Sequence, residues 1–143
     1  MDAMVITLIS WIAAISNFAV VDPPRILLIP KREIDEYYYR PSEVNKFFQL
    51  QAIYKSTNAM IYLRDTWRST ELYDQSVLLH ELVHHLQMNN NVKAPCQAAK
   101  ERQAYDLQVA WLREQGVENP YALMGTNELT IYLLSSCHVS SEE

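Results

Sequence analysis

The sequence predicts an α+β fold, and three observations carry that prediction. A hairpin pattern sits near the middle of the chain, with β-forming arms Gln51–Lys55 and Ala59–Leu63 around the turn-forming cluster Ser56-Thr57-Asn58. A helical pattern then runs from Glu71 to about Asn89, and a second from about Gln97 to Gln115, where Gly116 stops it. The order is one helix, a small antiparallel or mixed sheet of about three strands, and a helical half. The 143 residues suit one domain on length.

The elements follow in chain order. Met4 to Val21 is the most hydrophobic stretch. It lacks a basic leading region and a clean small-residue cleavage site, so it reads as a buried first helix over about 3–18, ended by Asp22-Pro23-Pro24. It also falls short of the roughly 20 apolar residues a membrane span needs, which argues against stable insertion. Export would then require a leader removed before this numbering begins. Arg25–Pro30 is a short aliphatic run bounded by prolines, hence a strand. Lys31–Tyr39 is charged and tyrosine-rich and reads as a surface loop. Pro41–Phe48 reads as a short helix. The helix from Glu71 breaks at Asn89-Asn90-Asn91, with Pro95 beyond. Asn119-Pro120 looks like another helix start, and a last helix covers about Asn127–Ser136 before a polar tail.

Composition narrows the function. Apolar residues make up 49% of the chain, and 2 glycines with 6 prolines argue against disorder. A net charge of -5 offers no basic face for nucleic acid, so no nucleic-acid partner is expected. Cys96 and Cys137 are too few for a disulfide scaffold. Two reduced thiols in a cytoplasmic protein fit their spacing. An even count in a small domain tips the reading towards a bridge and a periplasmic or secreted setting.

The informative segment is His80-Glu81-Leu82-Val83-His84, an HExxH match. Histidines at i and i+4 project from one helix face, so both imidazoles can reach a single metal. The intervening Glu81 points about 100° away, towards the side where a metal-bound water would sit. Zinc accepts nitrogen and oxygen donors and keeps an open position in catalytic sites, where it acidifies water for a nearby carboxylate base. Leu79, Leu82, Val83 and Leu86 form an apolar arc with His80 and His84 at its border. The alternative is a core helix with incidental histidines.

A third ligand is needed, and the HExxHxxGxxH continuation, with its glycine turn and third histidine, is absent after His84. The candidate is Glu101, on a helix face shared with Ala98, Ala104, Tyr105, Val109, Trp111 and Leu112. A carboxylate buried there unpaired would be costly, and a zinc ion removes the difficulty. An interhelical ion pair is the alternative. His85 lies about 100° round from His84 and is either a support behind the ligands or a surface residue.

HELVH at 80–84 followed by ExxAY at 101–105 resembles the gluzincin branch of the zincin metallopeptidases, and HELVHHLQ with KERQAY looks like small bacterial zincin-like domains of uncharacterised function. The likeness covers about residues 59–115. It implies a minimal zincin-like domain with a strand above the site at Ala59–Leu63, an active-site helix at Glu71–Met88 and a glutamate helix at Gln97–Gln115. It also implies one zinc ion on His80, His84 and Glu101, Glu81 as the general base, and a peptide or protein substrate aligned on an edge strand. In the best-known gluzincins an aspartate four residues after the ligating glutamate supports the first histidine. Tyr105 stands there instead, with Asp106 next. No separate substrate-binding domain is visible to supply a group that stabilises the transition state, which leaves Tyr105, Tyr132 and His138 as candidates in that order.

The expected function is therefore a zinc-dependent metallohydrolase cleaving peptide bonds. A zinc-binding module without turnover, of binding or regulatory role, is the alternative, and a metal-free helical interaction domain a third reading. Oligomeric state and substrate specificity are not legible in the sequence.

Overall fold

The computed structural model describes residues 1–38 and 51–137. The expected helix at Pro41–Phe48 lies outside the described residues. The architecture is α+β, with six helices and a three-stranded mixed sheet among the described residues.

The chain opens with α1 (Asp2–Ser16), which buries Val5, Leu8, Ile9, Ile12 and Ala13. It ends earlier than the sequence suggested, because Asn17 turns left-handed (φ 57°) well before the two prolines. Strand β1 (Arg25–Ile29) follows, and then α2 (Lys31–Tyr38), where a surface loop was expected. Three contacts explain that helix. The Pro30 carbonyl accepts from the amides of Glu33 and Ile34, Lys31 pairs with Asp35 at 2.8 Å one turn on, and Ile34 is fully buried. A single apolar anchor in a charged stretch was too weak a signal for sequence periodicity.

The hairpin forms as β2 (Ala52–Lys55) and β3 (Met60–Arg64). Strand order is β1-β3-β2, with β1 parallel and β2 antiparallel to β3. Among the described residues, strand β3 is therefore the middle strand, and β2 is an edge. Alternation divides the sheet: Ala52, Tyr54, Ile61 and Leu63 join the main core, while Ile53, Met60 and Tyr62 meet Ile29 and Ile34 in a smaller cluster on the other face.

The long helix α3 (Leu72–Asn89) lies between α1, the sheet and α4 (Gln97–Glu114). Its first turn is held by Asp74, whose carboxylate accepts from the Arg68 amide at 2.9 Å and whose carbonyl accepts from Trp67 Nε1 at 2.6 Å. Its end is tied to the segment after α1 by Asn90, which accepts from the Ala19 amide at 2.8 Å and donates to the Ala19 carbonyl at 3.3 Å. Leu78, Leu79, Leu82, Val83 and Leu86 are all fully buried. Truncating one of them to alanine would cost about 2–5 kcal/mol. Helix α4 ends at Gly116 (φ 96°), in the backbone region that favours glycine. Two short helices, α5 (Pro120–Met124) and α6 (Glu128–Leu134), are capped by Asn119 and Asn127 side chains and pack on α4.

Candidate metal centre

Helix α3 presents Tyr73, Val77, His80, Glu81 and His84 to a cleft of about 320 Å³. Helix α4 faces them with Gln97, Glu101, Tyr105 and Gln108, and Ala52, Ile53 and Tyr54 of β2 form the adjoining wall. Contacts between the helices run from Gln87–Gln103 at one end to Ser76–Gln108 at the other, so α4 returns antiparallel to α3.

At the centre His80 Nε2 lies 2.8 Å from Glu101 Oε1, and His84 Nε2 lies 3.1 Å from Glu101 Oε2. One donor atom from each of the three residues falls within 4.8 Å of the others. The second contact is close but not aligned as a hydrogen bond, so buried His84 Nε2 has no hydrogen-bond partner. Protonated His84 still meets the Glu101 carboxylate as a charge partner, whereas with a neutral imidazole the buried Nε2 lacks a hydrogen-bond partner, which is costly, and a cation among the three donors would satisfy it. A divalent metal ion fits this donor set. Donors around a tetrahedral zinc would stand about 3.4 Å apart; the two histidine–carboxylate separations, 2.8 and 3.1 Å, lie a few tenths of an ångström below that, and all three donors lie within 4.8 Å of one another. The sequence alternative for Glu101, an ion pair between helices, is met here by histidines and not by lysine or arginine.

Behind the two histidines stand two glutamines. Gln108 Oε1 lies 2.9 Å from His80 Nδ1, and Gln87 Oε1 lies 2.9 Å from His84 Nδ1. Both glutamines are nearly fully buried. Sequence reasoning passed over them. The signal available was that Gln108 lies seven residues after Glu101, on the same helix face.

Charges in the cleft act on one another. Burial works against a charged His84, but the Glu101 carboxylate beside it pushes its pKa up to about 9. Burial alone would raise Glu101, yet His80 and His84 hold it well below the usual carboxylate range. Glu81 is not one of the three converging donors. Burial pushes its pKa up, opposed by His80 and His84 and by the Tyr54 backbone amide, which donates to its carboxylate. Tyr105 is buried, with its ring edge-on to His80 at 4.6 Å between centroids. Burial, and then the Glu101 and Glu81 carboxylates, push its hydroxyl above the usual tyrosine range, so it stays protonated.

Four expectations need correction. The strand bordering the cleft is β2, not the Ala59–Leu63 segment, because β3 is enclosed by strands on both sides. His85 is not a surface residue: it is buried, with Nδ1 2.9 Å from the Tyr54 hydroxyl and Nε2 2.8 Å from the Asp22 carbonyl. It fastens β2 and the chain after α1 to α3 and faces away from the other two histidines. Asp106 is exposed and lines a different cavity with Arg102, Tyr121 and Glu128, so the support of His80 falls to Gln108. Tyr132 lines that second cavity too, under the Arg102 guanidinium at 5.1 Å, away from the histidines. His138 lies outside the described residues.

Cys96 and Cys137 are bonded, with Cα atoms 5.8 Å apart. Cys96 is the cap residue of α4, so the bridge fastens the start of the helix carrying Glu101 to the segment after α6. No helix among the described residues is long and apolar enough to cross a membrane.

Fold and site together define a small α+β domain with two histidines and a glutamate gathered between two helices, where they could hold a metal ion. The match to known families agrees in extent with the whole of that arrangement: a family described as a domain of unknown function (DUF6647) matches residues 1–141, and the chain belongs to that family. No curated protein and no solved structure matches the chain.

Proposed function

We propose that the protein is a zinc-dependent metallohydrolase of gluzincin type that cleaves peptide bonds. The observation that carries the reading is the convergence of His80 Nε2, His84 Nε2 and the Glu101 carboxylate on one side of a cleft, with Glu81 beside them but outside the donor set. Two imidazoles and one carboxylate with an open side are a donor set that catalytic zinc takes. When bound there, zinc supplies a Lewis acid that polarises the scissile carbonyl and acidifies water.

The chain's own residues do the rest. Glu81 takes the proton of the attacking water and passes it to the leaving nitrogen, a task helped by burial, which raises its pKa. Tyr105, protonated and against His80, is a hydrogen-bond donor on the cleft wall for the oxyanion that develops. Among the described residues, strand β2 is the sheet edge on the cleft. Gln51 accepts from the Arg64 amide, so by alternation Ala52 and Tyr54 turn their backbone groups outward to that edge, where the Tyr54 amide is already given to the Glu81 carboxylate and the remaining groups face the cleft side. An extended peptide could pair there, which favours a peptide over a compact small substrate.

The test is metal analysis of purified protein together with cleavage of a mixed peptide library by the parent and by Glu81→Gln. Stoichiometric zinc with cleavage lost in the variant supports the enzyme. Zinc without cleavage by the parent leaves a zinc-binding module, and absence of zinc rejects the centre.

A further inference from the structure

We propose that Gln108 and Gln87 are the positioning residues that make His80 and His84 metal donors, each acting through an amide locked from behind by a main-chain carbonyl. The inference rests on the metal-centre reading above and concerns what holds that centre in its binding form.

Each relay begins at an atom that can only accept, the Tyr73 carbonyl in one and the Lys100 carbonyl in the other. The Tyr73 carbonyl accepts the Ser76 hydroxyl at 2.6 Å. With its proton spent there, Ser76 Oγ must accept from Gln108 Nε2, 3.1 Å away. That fixes the amide so that Oε1 faces His80 Nδ1 at 2.9 Å, and an oxygen there requires the imidazole proton to be on Nδ1. At the other histidine the Lys100 carbonyl accepts from Gln87 Nε2 at 3.0 Å, and Gln103 Oε1 accepts from the same nitrogen at 3.0 Å. Gln87 Oε1 is thereby turned to His84 Nδ1 at 2.9 Å, with the same consequence. Both rings are left with Nε2 aimed at the Glu101 side, which is the atom a metal needs bare.

Geometry and burial exclude a looser arrangement. Gln87 is 2% exposed and Gln108 4% exposed, so water does not substitute for either amide. A flipped amide would set an N–H against a ring N–H, and its oxygen against the acceptor-only Lys100 carbonyl at Gln87 or against Ser76 Oγ at Gln108, whose proton is held by the Tyr73 carbonyl, losing two buried hydrogen bonds at once. Both relays also end on or cross to α4, the helix that carries Glu101. Docking α4 on α3 therefore delivers the third ligand and orients the other two in one step. The relays are neutral, so among the described residues Glu101 is the only negative charge in direct contact with the ligating imidazoles.

Three variants test this: Gln108→Leu, Gln87→Leu and Gln108→Glu. Zinc affinity is measured by competition with a chromophoric chelator, and ring protonation by ¹⁵N NMR of the zinc-loaded proteins. Each leucine variant should bind zinc about 10–100-fold more weakly, the usual cost of losing an outer hydrogen-bond partner of a ligating histidine. Gln108→Glu should restore affinity to the parent's level or above, because a carboxylate accepts the same Nδ1 proton. In the parent both rings should carry their proton on Nδ1 and the metal on Nε2, and Gln108→Leu should disturb that signature at His80 alone. Circular dichroism of the metal-free variants separates this from misfolding, and Gln87→Leu tests the second relay independently. Leucine variants that bind zinc as tightly as a zinc-binding parent overturn the inference and leave the metal centre standing. A parent that takes up no zinc overturns the centre itself, and the inference with it.

Discussion

His80 Nε2 and Glu101 Oε1 stand 2.8 Å apart although the two residues are 21 positions apart in sequence and lie on different helices. The contact exists because the chain between them reverses α4 onto α3, bringing one carboxylate between two imidazoles.

Removing that carboxylate should be felt first in metal binding. Glu101→Ala is expected to lower zinc affinity by more than about 100-fold, beyond the roughly 10–100-fold of an outer-partner change. Chelator competition measures it. Retention of parental affinity would mean that Glu101 is not a ligand.

Glu81 should behave in the opposite way. Glu81→Gln keeps the shape and is expected to bind zinc like the parent, while peptide cleavage falls by about 10²–10⁴-fold, the usual worth of a positioned proton carrier. Equal cleavage by parent and variant would reject the proposed mechanism even with zinc present.

The site also predicts how the metal-free protein responds to pH. The folded pKa of His84 is raised from 6.5 to about 9, so its contribution is fully present below pH 6.5 and is lost as pH rises through 9. The folded pKa of Glu101 is lowered from 4.5, so its contribution is present above 4.5 and disappears only in stronger acid. The melting temperature of chelator-treated protein should therefore fall between pH 6.5 and 9. Zinc affinity should rise over the same range, because the metal displaces the proton. A melting temperature that is flat across that range would contradict the pairing of His84 with Glu101.

Opening the Cys96–Cys137 bridge should weaken both fold and site. The bridge spans 41 residues in sequence, which corresponds to about 4 kcal/mol in the chain-entropy account of cross-links. Paired Cys96→Ser and Cys137→Ser substitutions should lower stability in urea by an amount of that order. They should weaken zinc binding as well, since the bridge holds the start of the helix that carries Glu101. Unchanged zinc affinity with lowered stability would confine the bridge to a role in the fold.

Much of this was legible in the chain. The 3.6-residue period gives α3 and α4, the turn cluster gives the hairpin, and the i, i+4 spacing puts His80 and His84 on one face, because these depend on neighbours within a turn or two. Glu101 could be selected by its place on an otherwise apolar face. The pairing of Cys96 with Cys137 could only be leaned towards, since two cysteines fix a count and not a distance.

Sequence alone thus determined the α+β class, the two long helices and the histidine pair with its neighbouring glutamates. Tertiary structure decided what lies behind them. Helix-face reasoning assumes one buried side, but α3 is enclosed by α1, the sheet and α4, so His85 is buried where a surface position was an open reading. Strand order made β2 and not β3 the edge on the cleft, because the parallel partner β1 takes the other side of β3. The supports of the two histidines, Gln108 and Gln87, follow from the packing of α4 on α3. Glutamine is ordinary at a helix surface and becomes specific only when burial removes the water that would otherwise satisfy its amide.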